Sequence, residues 1–385
     1  MRFEFATATR IVFGSGMRSI IANEVAALGG RVLIVTGNVP ERTSFLTEQL
    51  HEVGCTVTSF PVQGEPTVEM ITVGVEKARE IQCNMVVSIG GGSVVDTGKA
   101  IAALVNNHGN LIDYLEVIGQ GKKFEALPVP FIAVPTTAGT GAEVTKNAVI
   151  ASPEHGVKVS LRHPAMLPRC AVIDPELAVT LPAPVTAATG LDALTQCIEA
   201  LVSIKATPLT DGFCREGIQR AARSLKTTCT DGTNLPARED MALAALLSGL
   251  ALANAGLGAV HGFAGPIGGR CGAPHGAVCA RLLPHVMQTN IAALGRSGGK
   301  ETALDRYREV AVLLTGSSDA SAEDGVAWVS ACCRELPLPE LDCYHLSADV
   351  FPELAQAAQR ASSMKGNPVL LTEAELQQIL EQSFS

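Results

Sequence analysis

Asn84–Val105 reads NMVVSIGGGSVVDTGKAIAALV. Its first part is a run of apolar residues typical of a buried strand. Its last part carries apolar residues at helical spacing, and Gly90-Gly91-Gly92-Ser93 joins the two. Glycines at a strand end let the backbone approach a ligand closely, and the opening turn of the following helix offers free N–H groups and partial positive charge. That is the physics of a pyrophosphate cradle at the carboxyl end of a strand. The run is not the GxGxxG fingerprint, and a tight structural turn is the competing reading. Asp96, one turn into the helix, either faces the cofactor or complements the helix N-terminus electrostatically.

The same alternation repeats on both sides. Arg31-VLIVTG reads as a buried strand, TSFLTEQLHEVG as an amphipathic helix stopping at Gly54, CTVTSFPV as a strand and TVEMITVGVEKAREIQ as a helix. PFIAVPTT is a further β-rich run. Strands alternating with helices predict an α/β domain with a mostly parallel, Rossmann-like sheet, in which the glycine loop follows the third strand. Pro135-Thr136-Thr137-Ala138-Gly139-Thr140-Gly141 ends another strand and offers hydroxyls and open backbone to a ribose or adenine. Two such strand-end loops in one sheet favour a nucleotide more than either does singly. Past Pro182 the strands give way to alanine- and leucine-rich helical patterns. The prolines of IDPELAVTLPAP mark the boundary, so residues 1–181 read as a dinucleotide-binding α/β domain and 182–385 as an all-helical metal and substrate domain.

With 385 residues, the chain is long enough for two cores. A hydrophobic share of 47% against 17% charged residues excludes a disordered chain, and a net charge of -9 without a basic block excludes a nucleic-acid partner. The 11 cysteines are odd in number, scattered and free of CxxC pairs, and Cys332-Cys333 are adjacent. They read as reduced thiols of a cytoplasmic protein. MRFEFATATRIVFGSG lacks the apolar core of a signal peptide. Met241–Ile267 carries no charged residue and is long enough for a membrane span. Ser248, Asn254, His261 and the glycines from Gly256 to Gly265 instead favour a buried helix running into a glycine-rich loop, with no membrane partner.

In GLDALTQCIEA, Asp192 and Gln196 lie four apart on a predicted helix and project from one face. His261 and His275 lie in VHGFAGPIGGRCGAPHG, a glycine-rich stretch able to bend both imidazoles toward one point. A carboxylate with imidazoles suits Fe²⁺ or Zn²⁺, which acts as a Lewis acid on a carbonyl or alkoxide. The competing reading is an aspartate at a helix start and satisfied core histidines. His285 in LLPHVM and His163 in LRHPAML read as structural or interdomain groups. Asn147 and Glu143, just past the threonine loop, are candidates for lining the cleft, with a solvent-facing Glu143 as the alternative.

GGGSVVDTGKA, AVPTTAGTGAEVTKNAVI, IDPELAVTLPAPVTAATGLDALT and PHGAVCARLLPHV, in this order and with Asn367-Pro368 near the C-terminus, resemble the successive motifs of the iron-containing (group III) alcohol dehydrogenase family, within the dehydroquinate synthase-like superfamily. The resemblance implies the same two-domain fold, with cofactor and substrate in the cleft between domains. It further implies hydride transfer between NAD(H) or NADP(H) and a small alcohol, aldehyde or ketone, assisted by one divalent metal. By motif, Gly91, Gly92 and Ser93 match the pyrophosphate loop, Thr136, Thr137 and Thr140 the loop on the adenine side, and Lys158 the lysine near the nicotinamide ribose. Gly37 and Asn38 follow the strand whose end carries an aspartate in many NAD-preferring members. Without that carboxylate a 2′-phosphate meets no like charge, which favours NADP(H) over NAD(H).

Asp192, Gln196, His261 and His275 match the family's aspartate and three histidine ligands, with two departures. Gln196 replaces a histidine, and an amide oxygen is a harder, weaker donor, so lower affinity or a shifted metal preference is expected. Gly265 stands where many relatives carry a histidine proposed to assist proton transfer, leaving that step to the cofactor ribose and water or to another group. These departures keep open a metal-independent enzyme resembling maleylacetate reductases, a lyase of the dehydroquinate synthase type and a non-catalytic nucleotide-binding protein. The family's assemblies make a homo-oligomer, by default a dimer, the expected state.

Overall fold

A computed structural model describes residues 2–39, 43–296, 301–339, 341, 344 and 346–384. In chain order its N-terminal elements are β1 (Ile11–Phe13), α1 (Ile21–Ala26), β2 (Arg31–Thr36), α2 (Ser44–Glu52), β3 (Thr56–Pro61), α3 (Val68–Glu80), β4 (Met85–Gly90), α4 (Gly92–Leu104), α5 (Leu111–Tyr114), β5 (Phe131–Pro135), β6 (Asn147–Ser152), β7 (Val157–Arg162) and β8 (Cys170–Ile173). Six strands form one parallel sheet in the order β1-β8-β5-β4-β2-β3. The interior strands are apolar almost throughout, as a parallel sheet covered on both faces requires. Val32 to Val35 and Met85 to Val87 are fully buried, and a separate cluster forms on each face of the sheet.

The chain moves from β2 outward to β3, then returns to place β4 on the other side of β2. That reversal is a topological switch point, where open α/β sheets bind ligands beyond the carboxyl ends of their strands. β4 carries the glycine loop directly into α4. At Gly98 on that helix an added Cβ would lie 2.0 Å from Ser88 Oγ on β4, so only glycine lets α4 pack this closely on its own strand. The sequence reading did not include β1, only three residues long, the antiparallel β6–β7 hairpin, β8 or the short helices α1 and α5.

The second compact unit holds Val179 onward together with Met1–Phe5 and Ala138–Thr140; the first holds Ala6–Thr137 and Gly141–Ala178. The second unit's helices are α6 (Ala183–Val202), α7 (Pro208–Thr230), α8 (Leu235–Ala255), α9 (Ala259–Cys271), α10 (His275–Arg296), α11 (Glu301–Thr315), α12 (Ala322–Glu335), α13 (Phe351–Arg360) and α14 (Glu373–Phe384). The expected glycine-rich loop after residue 255 is therefore corrected: Ala259–Cys271 is helical despite its glycines and the internal Pro266. Each helical glycine costs about 1 kcal/mol relative to alanine. Burial of Ala259, Val260, Phe263, Ala264 and Ile267 outweighs it, since a buried Phe or Ile alone contributes roughly 1.5–3 kcal/mol. α8 and α9 meet at a 98° bend, and among the described residues no single helix is long and apolar enough to cross a membrane. The ten described cysteines are free thiols, and Cys343 lies outside the described residues.

Candidate functional site

α6 sets the metal-type cluster. Asp192, Gln196 and Glu199 follow one another at spacings of four and three, so they share one face of a helix that is buried over most of its length. Asp192 Oδ1 lies 3.2 Å from His261 Nε2 and 3.7 Å from His275 Nε2. Cys279 Sγ lies 3.7 Å from His275 Nε2 and 3.9 Å from His261 Nε2. All four ligand atoms fall within 4.8 Å of one another. Bond lengths of about 2.0–2.1 Å to nitrogen and oxygen in a tetrahedral site place neighbouring donors roughly 3.3 Å apart, so the carboxylate and the two imidazoles fit a divalent ion after small shifts. Asp192 and Cys279 are buried, whereas the His275 side chain is 37% exposed and leaves the cluster open on its own side.

The supporting shell fixes His261. Glu199 Oε2 lies 2.7 Å from His261 Nδ1, which turns Nε2 toward Asp192. The other Glu199 oxygen accepts from the Val260 backbone N–H at 2.7 Å, and Asn367 Oδ1 accepts from the Ala259 N–H at 3.2 Å. Two side chains thus satisfy the first N–H groups of α9 and hold the helix that carries the ligand. Burial opposes charge on all four cluster members, but their mutual attraction prevails. Cys279 and Asp192 raise the imidazole pKa values, while His275 and His261 lower those of Asp192 and Cys279.

Gln196, on the same face of α6 as Asp192, makes its own hydrogen bond. It is buried on α6, with Oε1 2.7 Å from Ser248 Oγ of α8. Glu199 and Cys279 were both missed in the sequence. Their signals were present: Glu199 is seven residues past Asp192, and Cys279 four past His275, each on the ligand-bearing helix face. At Gly265 an added Cβ would meet nothing within 4 Å, so glycine leaves open space there. His285 is half-buried with its pKa lowered by burial, and the His163 side chain accepts from the Ala165 N–H and stands against Phe124; neither joins the cluster.

In the sheet unit, register sets Thr36 beside Ile89, so Gly37 leaves β2 level with Gly90. The Thr136 N–H donates to Gly90 O at 2.9 Å, and an added Cβ at Gly91 would stand 3.2 Å from Thr137 Cγ2. The structure therefore brings Gly37, Gly91, Gly92, Ser93, Thr136 and Thr137 to adjacent strand ends, with Asn38 next in the chain. Thr140 clusters with the helical unit instead. Asp96 accepts from the Val149 N–H at 2.9 Å and ties α4 to β6. Lys158, on β7, pairs with Glu65. Asn147 opens β6, and its carbonyl accepts from Lys99 Nζ at 2.8 Å. A cavity beyond β2 and β3 is lined by Thr36, Thr43, Ser44, Thr47, Glu48, Ser59 and Pro61.

Glu143 is buried, not solvent-facing, and burial pushes its carboxyl up to about 7, with its own N–H and Lys99 acting in the opposite direction. Between its unfolded value near 4.5 and the folded value, the native state holds a proton that the unfolded chain has lost. Stability from this group is therefore present at low pH and declines as pH rises through that window. Glu143→Gln is expected to stabilise the protein by up to about 3 kcal/mol at pH 8 and by little at pH 5. Thermal unfolding at the two pH values checks this; an equal gain at both contradicts it.

Comparison with known proteins gives these features their context. The family model for iron-containing alcohol dehydrogenase matches residues 8–175, and the model for the C-terminal region of that family matches 186–384. The chain is 35% identical over 392 residues to 1,3-propanediol dehydrogenase of Klebsiella pneumoniae, covering 99% of each. A crystal structure of a 1,3-propanediol oxidoreductase superposes with a TM-score of 0.91 at 32% identity, covering 100% of both chains. Sulfoacetaldehyde reductase from Bifidobacterium kashiwanohense, solved in complex with NAD+, gives 0.87 at 26% identity, covering 100% of this chain and 99% of the other. The protein is thus an oxidoreductase acting on CH–OH groups. It belongs to the iron-containing alcohol dehydrogenase family.

Proposed function

We propose that the protein is an NAD(P)-dependent alcohol dehydrogenase, or in reverse an aldehyde or ketone reductase, that works with one divalent metal, Fe²⁺ or Zn²⁺. The convergence of Asp192, His261 and His275, with Glu199 behind His261, carries the reading. When bound, the ion supplies Lewis-acid polarisation of the substrate oxygen, and the dinucleotide supplies or accepts the hydride.

The chain's own residues bind and orient. The N–H groups at Gly91, Gly92 and Ser93 hold a pyrophosphate at the start of α4, beside Thr136 and Thr137. Thr140, Lys158, Asn147 and Asp96 are weaker members of this site, because Lys158 pairs with Glu65 and Asp96 holds Val149. Burial of Asp192 and His261 keeps water from competing for their charges. Gly265 brings no side chain to its position on α9, so no proton donor or acceptor comes from it. For the cofactor, two features oppose each other. Thr36-Gly37-Asn38 lacks the carboxylate that excludes a 2′-phosphate, while Glu48 lines the neighbouring cavity and repels one.

Metal content and NAD(P)H-linked carbonyl reduction, measured before and after chelation with NADH and NADPH in turn, test the proposal. Activity is expected to fall in step with metal and to return on Zn²⁺ or Fe²⁺ addition. Full activity in metal-free protein would overturn the metal role and favour chemistry like that of the maleylacetate reductases. Binding of neither dinucleotide would remove the dehydrogenase reading itself.

A further inference from the structure

The expected fourth metal donor, Gln196, and a residue with no expected role, Cys279, occupy equivalent positions on their helices. Each lies one helical turn beyond a ligand: Gln196 four residues after Asp192 on α6, and Cys279 four residues after His275 on α10. Spacing alone does not choose between them.

Three observations do. The first is distance. Zn–S bonds of about 2.3 Å and Zn–N bonds of about 2.0 Å in a tetrahedral site separate sulfur from nitrogen by roughly 3.5 Å. Cys279 Sγ stands 3.7 Å and 3.9 Å from the two Nε2 atoms, close to that edge length. The second is competition for the amide: Gln196 Oε1 is within hydrogen-bond distance of the Ser248 hydroxyl, on the neighbouring helix. The third is chemistry. A neutral amide oxygen is a weak donor to first-row transition ions, whereas a thiolate is a strong one. A thiolate with the Asp192 carboxylate also brings the ligand charge to two negatives, matching a divalent ion held in a largely buried site.

Resting on the metal reading above, we propose that Cys279 Sγ completes the donor set with Asp192, His261 and His275, and that Gln196 is not a ligand. Binding Zn²⁺ or Fe²⁺ then requires the thiol to lose its proton to solvent; no redox step is involved. One sulfur, two imidazoles and one carboxylate select these borderline ions over Mg²⁺ or Mn²⁺, which prefer oxygen donors.

The test is the full-length protein loaded with Co²⁺ in place of its native ion. Wild type is expected to show a thiolate-to-cobalt charge-transfer band in the near ultraviolet beside the visible bands of bound cobalt. Cys279→Ser and Cys279→Ala are expected to lose the charge-transfer band, and Gln196→Ala to keep it. X-ray absorption at the zinc edge of the unmutated zinc protein, which depends on no variant folding, is expected to show one sulfur neighbour. Bound cobalt without the charge-transfer band, a band that survives both Cys279 substitutions, or zinc with no sulfur neighbour overturns the thiolate and leaves the metal reading standing. Loss of bound cobalt in a folded Gln196→Ala protein overturns the exclusion of the amide. Failure of wild type to bind any ion removes the metal reading and the thiolate with it.

Discussion

Asp192→Ala is expected to strip the protein of bound metal and to lower kcat/KM for carbonyl reduction about a thousandfold or more. Lewis-acid stabilisation of developing charge is worth several kcal/mol, and about 4 kcal/mol corresponds to that factor. The carboxylate is 1% exposed and lies between both imidazoles, so no water replaces it at low cost. Removing it also takes from His261 and His275 one of the groups that favour their charged forms, leaving Cys279 for both and Glu199 for His261. Breaking a buried charge pair in this way costs about 3–5 kcal/mol, which thermal unfolding without added metal should reveal as a lowered Tm. Asp192→Asn keeps the volume and removes the charge, and separates electrostatics from packing. A folded Asp192→Ala protein with full metal content and activity would contradict the assignment of this cluster.

Gly276→Ala is expected to produce nearly as large a loss without touching a ligand. An added Cβ at Gly276 would stand 2.3 Å from the Ala188 carbonyl oxygen and 2.7 Å from its carbon. Both atoms are α6 backbone and do not rotate away, so the start of α10 must move. His275 is the adjacent residue, and its approach to Asp192 depends on that contact. Overpacking alone costs about 1–3 kcal/mol. Displacing a reacting group by about 1 Å costs about a hundredfold in rate, and a disturbed supporting contact lowers metal affinity about 10–100-fold. Metal titration and kcat/KM measured on the folded variant check both effects. Gly265→Ala is the control, because its new methyl group meets open space and adds helix propensity on α9. Unchanged metal affinity and activity in Gly276→Ala would show that the helix contact does not position His275.

Much of this was legible in the chain because it is written in local periodicity. The runs VLIVT and MVVSI are strands on apolar content alone, and the glycines after MVVSI mark where backbone must come close to something. Asp192, His261 and His275 stand out as the right chemistry in a largely apolar half. The misreading at residues 259–271 has a physical cause. Four glycines and a proline argue against a helix locally, and the buried face formed by Val260, Phe263, Ala264 and Ile267 outweighs them. β1 went unread because three residues carry too little pattern, and its partners on β8 lie 160 residues farther along, Ile11 pairing with Ala171. Glu143 was left open because burial of a carboxylate is decided by what packs on it, here the fully buried Lys99 and the loop it anchors through Ala142 and Asn147.

The sequence by itself determined the alternation of strands and helices from β2 to β5, the glycine loop that leads into α4, and the kinds of atom available to a metal. Only the tertiary structure decided which of those atoms meet. Gln196 and Cys279 have the same helical offset from a ligand, so the 3.6-residue repeat treats them alike. What separates them is packing between helices far apart in sequence: α8 sets Ser248 against the Gln196 oxygen, and the contact of Gly276 with Ala188 brings α10, with His275 and Cys279, onto Asp192.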